Sequence, residues 1–275
     1  MKKNYLDKKF NFLIPIQIND IIRIGSQNDG GYIISESSFK KCDNLISFGM
    51  ASNFDFEFEF LNKGKSVHAY DFSVSKKFYI LNFLKYLKRF ILFKSDIKSL
   101  LNKKKVIDNY NILIKNKNFI HFQKRINSII EKDFDITIDE VFKKTNSLNN
   151  FLAIDIEGFE YKIIDNLMKY EKNIAAMAIE FHNIEKNIDI FVSLVNRIKS
   201  YFHIIHLHGN NYSYLCNNGL PNVLEISFLS KKKFENINLH NKVYKFPIKG
   251  LDKPNNFGVD DLSFEFNLEK RTGDV

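Results

Sequence analysis

FLAIDIEGFEYKII, residues 151–164, reads as a complete strand–turn–helix unit. Phe151–Ile154 is a short, wholly apolar run, the pattern of a strand buried on both faces. Asp155-Ile156-Glu157-Gly158 breaks the run with two acids and a glycine, and a helix follows from about Glu160 to Tyr170. A strand apolar throughout needs cover on both sides, so this one unit already predicts a parallel sheet between two layers of helices.

The same alternation extends in both directions. Towards the N-terminus come strands at Phe119–Phe122, Ser66–Tyr70 and Asn44–Phe48, with helices at Phe54–Lys63 and near Ile138–Lys144. Towards the C-terminus come strands at Ala175–Ile179, Phe202–Leu207 and Val223–Leu229, with a helix at about Ile188–Ser200. Seven strands alternating with helices predict an α/β, Rossmann-like domain with a mostly parallel sheet, spanning about residues 41–275. Two stretches fall outside it. Residues 1–40 form an N-terminal extension that carries the turn signal Asp29-Gly30-Gly31-Tyr32. Residues 76–117 form a helical insertion whose start, KKFYILNFLKYLKRFILFK, is apolar almost all round yet studded with Lys and Arg.

Composition narrows the class. Of 275 residues, 44% are hydrophobic and 15% aromatic, enough for a packed core without staples. The two cysteines, Cys42 and Cys216, make no disulfide framework or C-x-x-C site, which suits a reducing, cytoplasmic compartment. The basic N-terminal stretch lacks the apolar core of a secretory signal, and no segment approaches a membrane span. The net charge of +9 is local: from Lys76 to Lys105 there are ten Lys or Arg residues and one acid, Asp96.

In an open α/β sheet, ligands bind beyond the carboxyl ends of the strands, at the topological switch point. The first strand ends in Gly49-Met50-Ala51-Ser52-Asn53, a tight turn before a helix N-terminus. One glycine is not the dinucleotide fingerprint, which disfavours a nicotinamide oxidoreductase. Asp71 ends the second strand, 22 residues beyond Gly49, where an acid can accept hydrogen bonds from a ribose. The next rim residues are Asp155 and Glu157, then Glu180-Phe181-His182-Asn183, then His208-Gly209-Asn210-Asn211. Three strand ends bearing ionisable groups at one rim predict a site, with a solvated polar network as the alternative.

These residues resemble the FkbM-type methyltransferases, a bacterial group that uses S-adenosylmethionine. The resemblance runs from about Ile22 to Asp261. It rests on RIGSQNDGGYII (23–34), SFGMASNFDFEFE (47–59), FLAIDIEGFEYKII (151–164), IEFHN (179–183), HLHGNN (206–211), LPNVLEISF (220–228) and LDKPNN (251–256). It implies a class I methyltransferase fold and O-methyl transfer to a sugar hydroxyl of a bacterial surface polysaccharide, or to a natural product. The acceptor would be a small molecule or a nucleotide-linked or phosphorylated sugar. Carried across, Phe48, Gly49 and Asn53 would surround the methionine part of the cofactor, and Asp71 with Phe72 the ribose end. Gln123, beside Lys124, would flank the adenine, and Asp155 would face the transferred methyl. The chain departs from the family in its reduced glycine loop and in the basic insertion.

A sugar hydroxyl is a very weak acid, so a base or a metal is expected beside it. Asp155, His182, Glu180 and His208 are the candidate catalytic groups. Asp155, Glu180 and His208, with Glu157 and His182 near them, are candidate ligands for Mg²⁺ or Mn²⁺. The insertion has three readings: apolar residues packed on the sheet, a lid for an anionic acceptor, or a surface resting on an anionic membrane. Nucleic acid is disfavoured as a partner, because the fourth strand ends in DIEG rather than the N/D-P-P-aromatic signature of base methylases. A methyltransferase fold serving only as a scaffold remains as a rival, and calorimetry with S-adenosylmethionine separates the two.

Overall fold

In a computed structural model of the chain, residues 5–145, 147–235 and 243–267 are described. The four N-terminal residues, part of the basic stretch read above, and residues 268–275 lie outside them.

The chain opens with a short strand, β1 (Tyr5–Leu6), and an antiparallel hairpin of β2 (Ile21–Gly25) and β3 (Gly31–Ser35). The D-G-G signal makes the hairpin turn, and a Cβ on Gly31 would stand 1.9 Å from the carbonyl oxygen of Ser26. Ser35 then caps α1 (Glu36–Lys41) by accepting from the Ser38 amide. The alternating core follows as β4 (Asn44–Phe48), α2 (Asp55–Asn62), β5 (Ser66–Tyr70), α3 (Lys76–Ile91), α4 (Ile97–Lys115) and β6 (Phe119–Phe122). A two-strand parallel pair, β7 (Arg125–Asn127) and β8 (Asp135–Thr137), precedes α5 (Ile138–Lys144), which starts with a Thr137–Glu140 capping box. Then come β9 (Asn150–Ile154), α6 (Glu160–Leu167), β10 (Ile174–Phe181), α7 (Ile188–Lys199), β11 (Phe202–Gly209) and β12 (Leu224–Ser230). Two last strands, β13 (Lys245–Phe246) and β14 (Phe264–Phe266), join β1 in a small separate sheet.

The seven predicted strands form one sheet in the order β11-β12-β10-β9-β4-β5-β6. All run parallel except β12, which is antiparallel to both its neighbours. The chain winds outward one way from β4 and the other way from β9, so the switch point lies between these two strands. Two apolar layers cover the faces: one is built on Ile46, Leu152, Ile179 and the α6–α7 residues, the other on Leu45, Phe60, Phe151 and Ala178. Consecutive strand residues alternate between the layers, which is why β4, β9 and β10 are apolar without interruption.

The last strand in the chain is not the last in the sheet: β12 turns back after β11 and slots between it and β10. An antiparallel strand needs only a short loop to return beside its predecessor. The apolar residues of the insertion pack on the core only in part, through Tyr79, Tyr110 and Leu113. On α3 only Tyr79 is buried, while Leu81, Leu84, Ile91, Leu92 and Phe93 are exposed.

Candidate functional site

Backbone pairing carries the switch point one residue past the strand ends. The Asp155 amide donates to the Phe48 carbonyl oxygen at 2.9 Å, and the Gly49 amide to that of Tyr70 at 3.0 Å. Gly49 has φ +82°, and a Cβ there would lie 1.7 Å from the Asp155 carbonyl oxygen. Only glycine lets the two strands leave the sheet this close together.

Two cavities, each of about 380 Å³, open at this rim. The first is lined by Gly49, Ala51, Asp71, Phe72, Lys124, Arg125 and Asp155, among others. Phe72 forms one wall and stacks on Phe134, with centroids 5.2 Å apart and planes 7° from parallel. Arg125 is pinned by Asp135 through two hydrogen bonds of 2.8 and 3.1 Å. The second cavity is lined by Asp29, Asp155, Glu157, Glu180, His182, Asn210 and Tyr212, among others. Asp155 and Glu157 belong to both.

The D-I-E-G-x-E motif has a clear division of labour. Asp155 and Glu157 face the cavities; Gly158 makes the turn at φ +100°. Glu160 turns inward, fully buried, and accepts from the Gly158 amide at 2.8 Å and the His182 amide at 2.6 Å. This last acid seals the loop onto the end of β10. Non-glycine residues with positive φ are Ala51, Phe93, Glu157 and Asn183 among the described residues, and three of these four line a cavity. Such conformations persist only where the surroundings enforce them, and they cluster at ligand sites.

His182 is ringed by carboxylates. Its Nε2 lies 3.3 Å from Glu180, 3.6 Å from Asp155 and 3.6 Å from Glu157, and its Nδ1 lies 3.4 Å from Glu160. Burial works to lower its pKa, but Glu160 and Glu180 outweigh this and hold it at about 11. These carboxylates favour the protonated form of His182. Burial lifts the Glu180 carboxyl to about 7 even though His182 pulls it down. Asp155 is pushed well above the ordinary carboxylate range by burial and then by the charge of Glu180. A carboxylate poised near neutrality is suited to accept a proton.

Other expectations are corrected by their surroundings. His208 reaches neither cavity lining. It is 3% exposed, with Nδ1 3.1 Å from Glu225 and Nε2 3.0 Å from Asp261. The cause is the interposed β12, whose Glu225 pairs in register with both Glu180 and His208. Asn210 from the same loop takes the place expected of His208, lining the second cavity and donating to Glu180 at 2.9 Å. Phe48 is fully buried in the core, edge-on to Tyr70, and does not line the cavity. Asn53 ties its loop to the hairpin by donating to the Asp29 carbonyl. Gln123 is exposed and off the lining; Lys124 and Arg125 stand there instead.

Asp71 does line the first cavity, but its oxygens are engaged. One accepts from the Met50 and Ala51 amides at 3.0 and 3.1 Å, the other from the Ser73 amide and hydroxyl at 2.8 and 2.7 Å. Its first role is to clamp the turn after β4. Asp155, Glu157 and His182 offer ligand atoms within 4.8 Å of one another, and this is the set that could hold a divalent ion, not one that includes His208.

The fold is α/β and Rossmann-like, a seven-stranded, mostly parallel sheet with helices on both faces. No family model matches the chain, and no curated protein matches it in sequence. Among solved structures it is similar to a precorrin-6y C5,15-methyltransferase from Geobacter metallireducens GS-15, at 10% identity and a TM-score of 0.36, covering 71% of this chain and 85% of that one. It is also similar to the bifunctional kinase-methyltransferase WbdD, at 12% identity and a TM-score of 0.36, covering 79% of this chain but only 38% of that one. A third is TrmK of M. capricolum in complex with S-adenosyl-homocysteine, at 10% identity and a TM-score of 0.33, covering 70% of this chain and 66% of that one.

Sequence reasoning names Asn210 only as one of the rim residues and gives no site role to Asp29, Glu160, Tyr212 or Phe134. Asp29 had a signal in the D-G-G turn, and Glu160 had one in the spacing of its motif. Phe134 had none, because it meets Phe72 only through the short β7–β8 pair.

Proposed function

We propose that this chain is an S-adenosylmethionine-dependent O-methyltransferase of FkbM type, acting on a sugar hydroxyl in bacterial surface-polysaccharide biosynthesis. One observation carries the reading: Asp155 stands at the switch point as the shared wall of two adjoining cavities. A donor in one and an acceptor in the other would meet at its carboxylate.

The first cavity suits the donor. Its volume falls within the usual range for small-ligand sites, and the Phe72–Phe134 stack offers a flat apolar face for an adenine. Ser73 can release the Asp71 oxygen it holds, leaving it for a ribose hydroxyl. A sulfonium beside Asp155 would favour the ionised form of that carboxyl, which burial and Glu180 otherwise oppose. The second cavity, lined by Asp29, Glu180, Asn183, Asn210 and Tyr212, is rich in hydrogen-bonding groups, as a polyhydroxylated acceptor requires.

S-adenosylmethionine supplies an electrophilic methyl on sulfur. The chain's own part is to align the acceptor oxygen and to take its proton. Glu180, poised at about 7 and steadied by Asn210, is the base; the hydroxyl proton moves to its carboxylate as the oxygen bonds to the methyl carbon and the carbon–sulfur bond breaks. His182 stays protonated and keeps four carboxylates within one small volume. A divalent ion would be held by Asp155, Glu157 and His182 and would acidify the acceptor. It would have to displace the His182 proton, so dialysis against a chelator is expected to leave turnover intact. Loss of turnover restored by Mn²⁺ would put a metal there instead.

Calorimetry tests the reading directly. S-adenosylmethionine and S-adenosylhomocysteine should both bind, and Phe72→Ala should weaken both by roughly tenfold, the contribution of one aromatic contact. Absence of binding would leave a scaffold role. A screen of nucleotide-linked and phosphorylated sugars with labelled donor then identifies the acceptor.

A further inference from the structure

The α3–α4 hairpin is firmly rooted at one end and bare at the other. At its base the Tyr79 hydroxyl donates to the Ala51 carbonyl, and Tyr79 packs edge-on against Phe54 at 5.9 Å. Tyr110 meets His121 at 2.9 Å, and Leu113 is fully buried. Away from this root, Leu100 on α4 is still buried, but the end of α3 and the turn are not. Leu81 is 55% exposed, Leu84 49%, Ile91 65%, Leu92 51% and Phe93, at the turn, 97%. Leu81, Leu84 and Ile91, with Leu92 just past the helix end, lie on one side of α3, and Lys77, Lys85 and Lys88 are interspersed among them. Single exposed apolar residues are ordinary on a protein surface; a side of one helix and its turn with five of them, set among lysines, is not.

We propose that this hairpin docks on an anionic membrane surface, with Ile91, Leu92 and Phe93 entering the interface and the flanking cations meeting lipid phosphates. Charge selects the occupant. The segment from Lys76 to Lys105 holds ten cations, and its lone acid, Asp96, is taken up in capping α4 through the Ser99 amide and hydroxyl. A second copy of so basic a surface would be repelled. A nucleic-acid backbone would meet the cations but leave the aliphatic residues uncovered. A basic helix whose exposed side mixes aliphatic residues with Lys fits a bilayer interface, where Lys stems lie along apolar surface and the ammonium groups reach the headgroups. No helix of the described residues is long and apolar enough to cross a membrane, so contact would be peripheral. Phe72 and Ser73, just before α3, line the first cavity, so docking would hold that cavity close to the lipid surface. The inference does not depend on which reaction the cavities perform.

Sedimentation of the full chain with vesicles tests it. The protein should pellet with phosphatidylcholine vesicles that contain phosphatidylglycerol, stay in solution with phosphatidylcholine alone, and be released by salt. Neutralising Lys85, Lys88, Arg89 and Lys94 to Gln should weaken partitioning roughly fivefold for each cation removed. A triple variant Ile91→Ser, Leu92→Ser, Phe93→Ser should lose binding while unfolding at the parent temperature, since all three side chains are exposed. The chain has no Trp, so Phe93→Trp gives a unique indole emission that should shift to the blue on anionic vesicles. Failure of the intact protein to pellet with anionic vesicles would overturn the proposal. So would equal binding by the triple variant, or a blue shift of the Phe93→Trp emission produced by RNA or by raised protein concentration without lipid.

Discussion

Gly49, Glu180 and His182 each respond to one neighbour, and each gives a sharp test. Gly49→Ala would force a Cβ against the Asp155 carbonyl at a positive φ, so β4 and β9 must separate at the site. Urea unfolding should show a loss of about 2–4 kcal/mol, in the upper range for single substitutions. For Glu180 the prediction is kinetic. The base must be ionised, so kcat should rise with pH through about 7. Glu180→Gln should lower kcat by roughly 10²–10⁴-fold and remove that limb of the profile. His182→Gln separates a structural cation from a base. Without the positive charge, Glu180 and Asp155 lose the neighbour that favours their ionised forms, so the limb should move to higher pH rather than vanish. A profile that loses its limb altogether in this variant would make His182 the base.

At the scale of elements, α2 carries a buried acid that plays no part in the site. Glu57 is 4% exposed, accepts from the Ser47 hydroxyl at 2.7 Å, and is lifted by burial to about 7. A carboxyl raised in the folded state is ionised first in the unfolded chain. Its contribution is therefore intact below the unfolded value of 4.5 and lost as pH rises through 7. The full loss is about 3 kcal/mol. Glu57→Gln should remove most of this decline, read as a flatter dependence of unfolding free energy on pH between these limits. Helix α3 gives the converse lesson. Its run of apolar residues reads as core from sequence, yet the structure leaves most of them in solvent. Periodicity records that a face is apolar but not what will cover it.

For the whole molecule, binding and folding are linked. S-adenosylmethionine at a hundredfold excess over its Kd should stabilise the fold by about 2.7 kcal/mol and raise the melting temperature by roughly 5–10 °C. An unmoved melting curve with both donor and product would remove the cofactor assignment. Much of this architecture is legible in the sequence, because parallel strands buried on both faces must be apolar throughout and must all deliver their loops to one rim. The alternation of apolar runs with helices was enough to locate all seven strands of the sheet and to bring Gly49, Asp71 and Asp155 to one cavity. Pairing across the sheet was not legible. Only the tertiary structure set β12 between β10 and β11, gave His208 to Glu225 and Asp261, filled the acceptor sites of Asp71 with nearby amides and the Ser73 hydroxyl, and ringed His182 with carboxylates. Each of these depends on neighbours distant along the chain or on burial in three dimensions, and a residue's place in a local pattern carries no record of either.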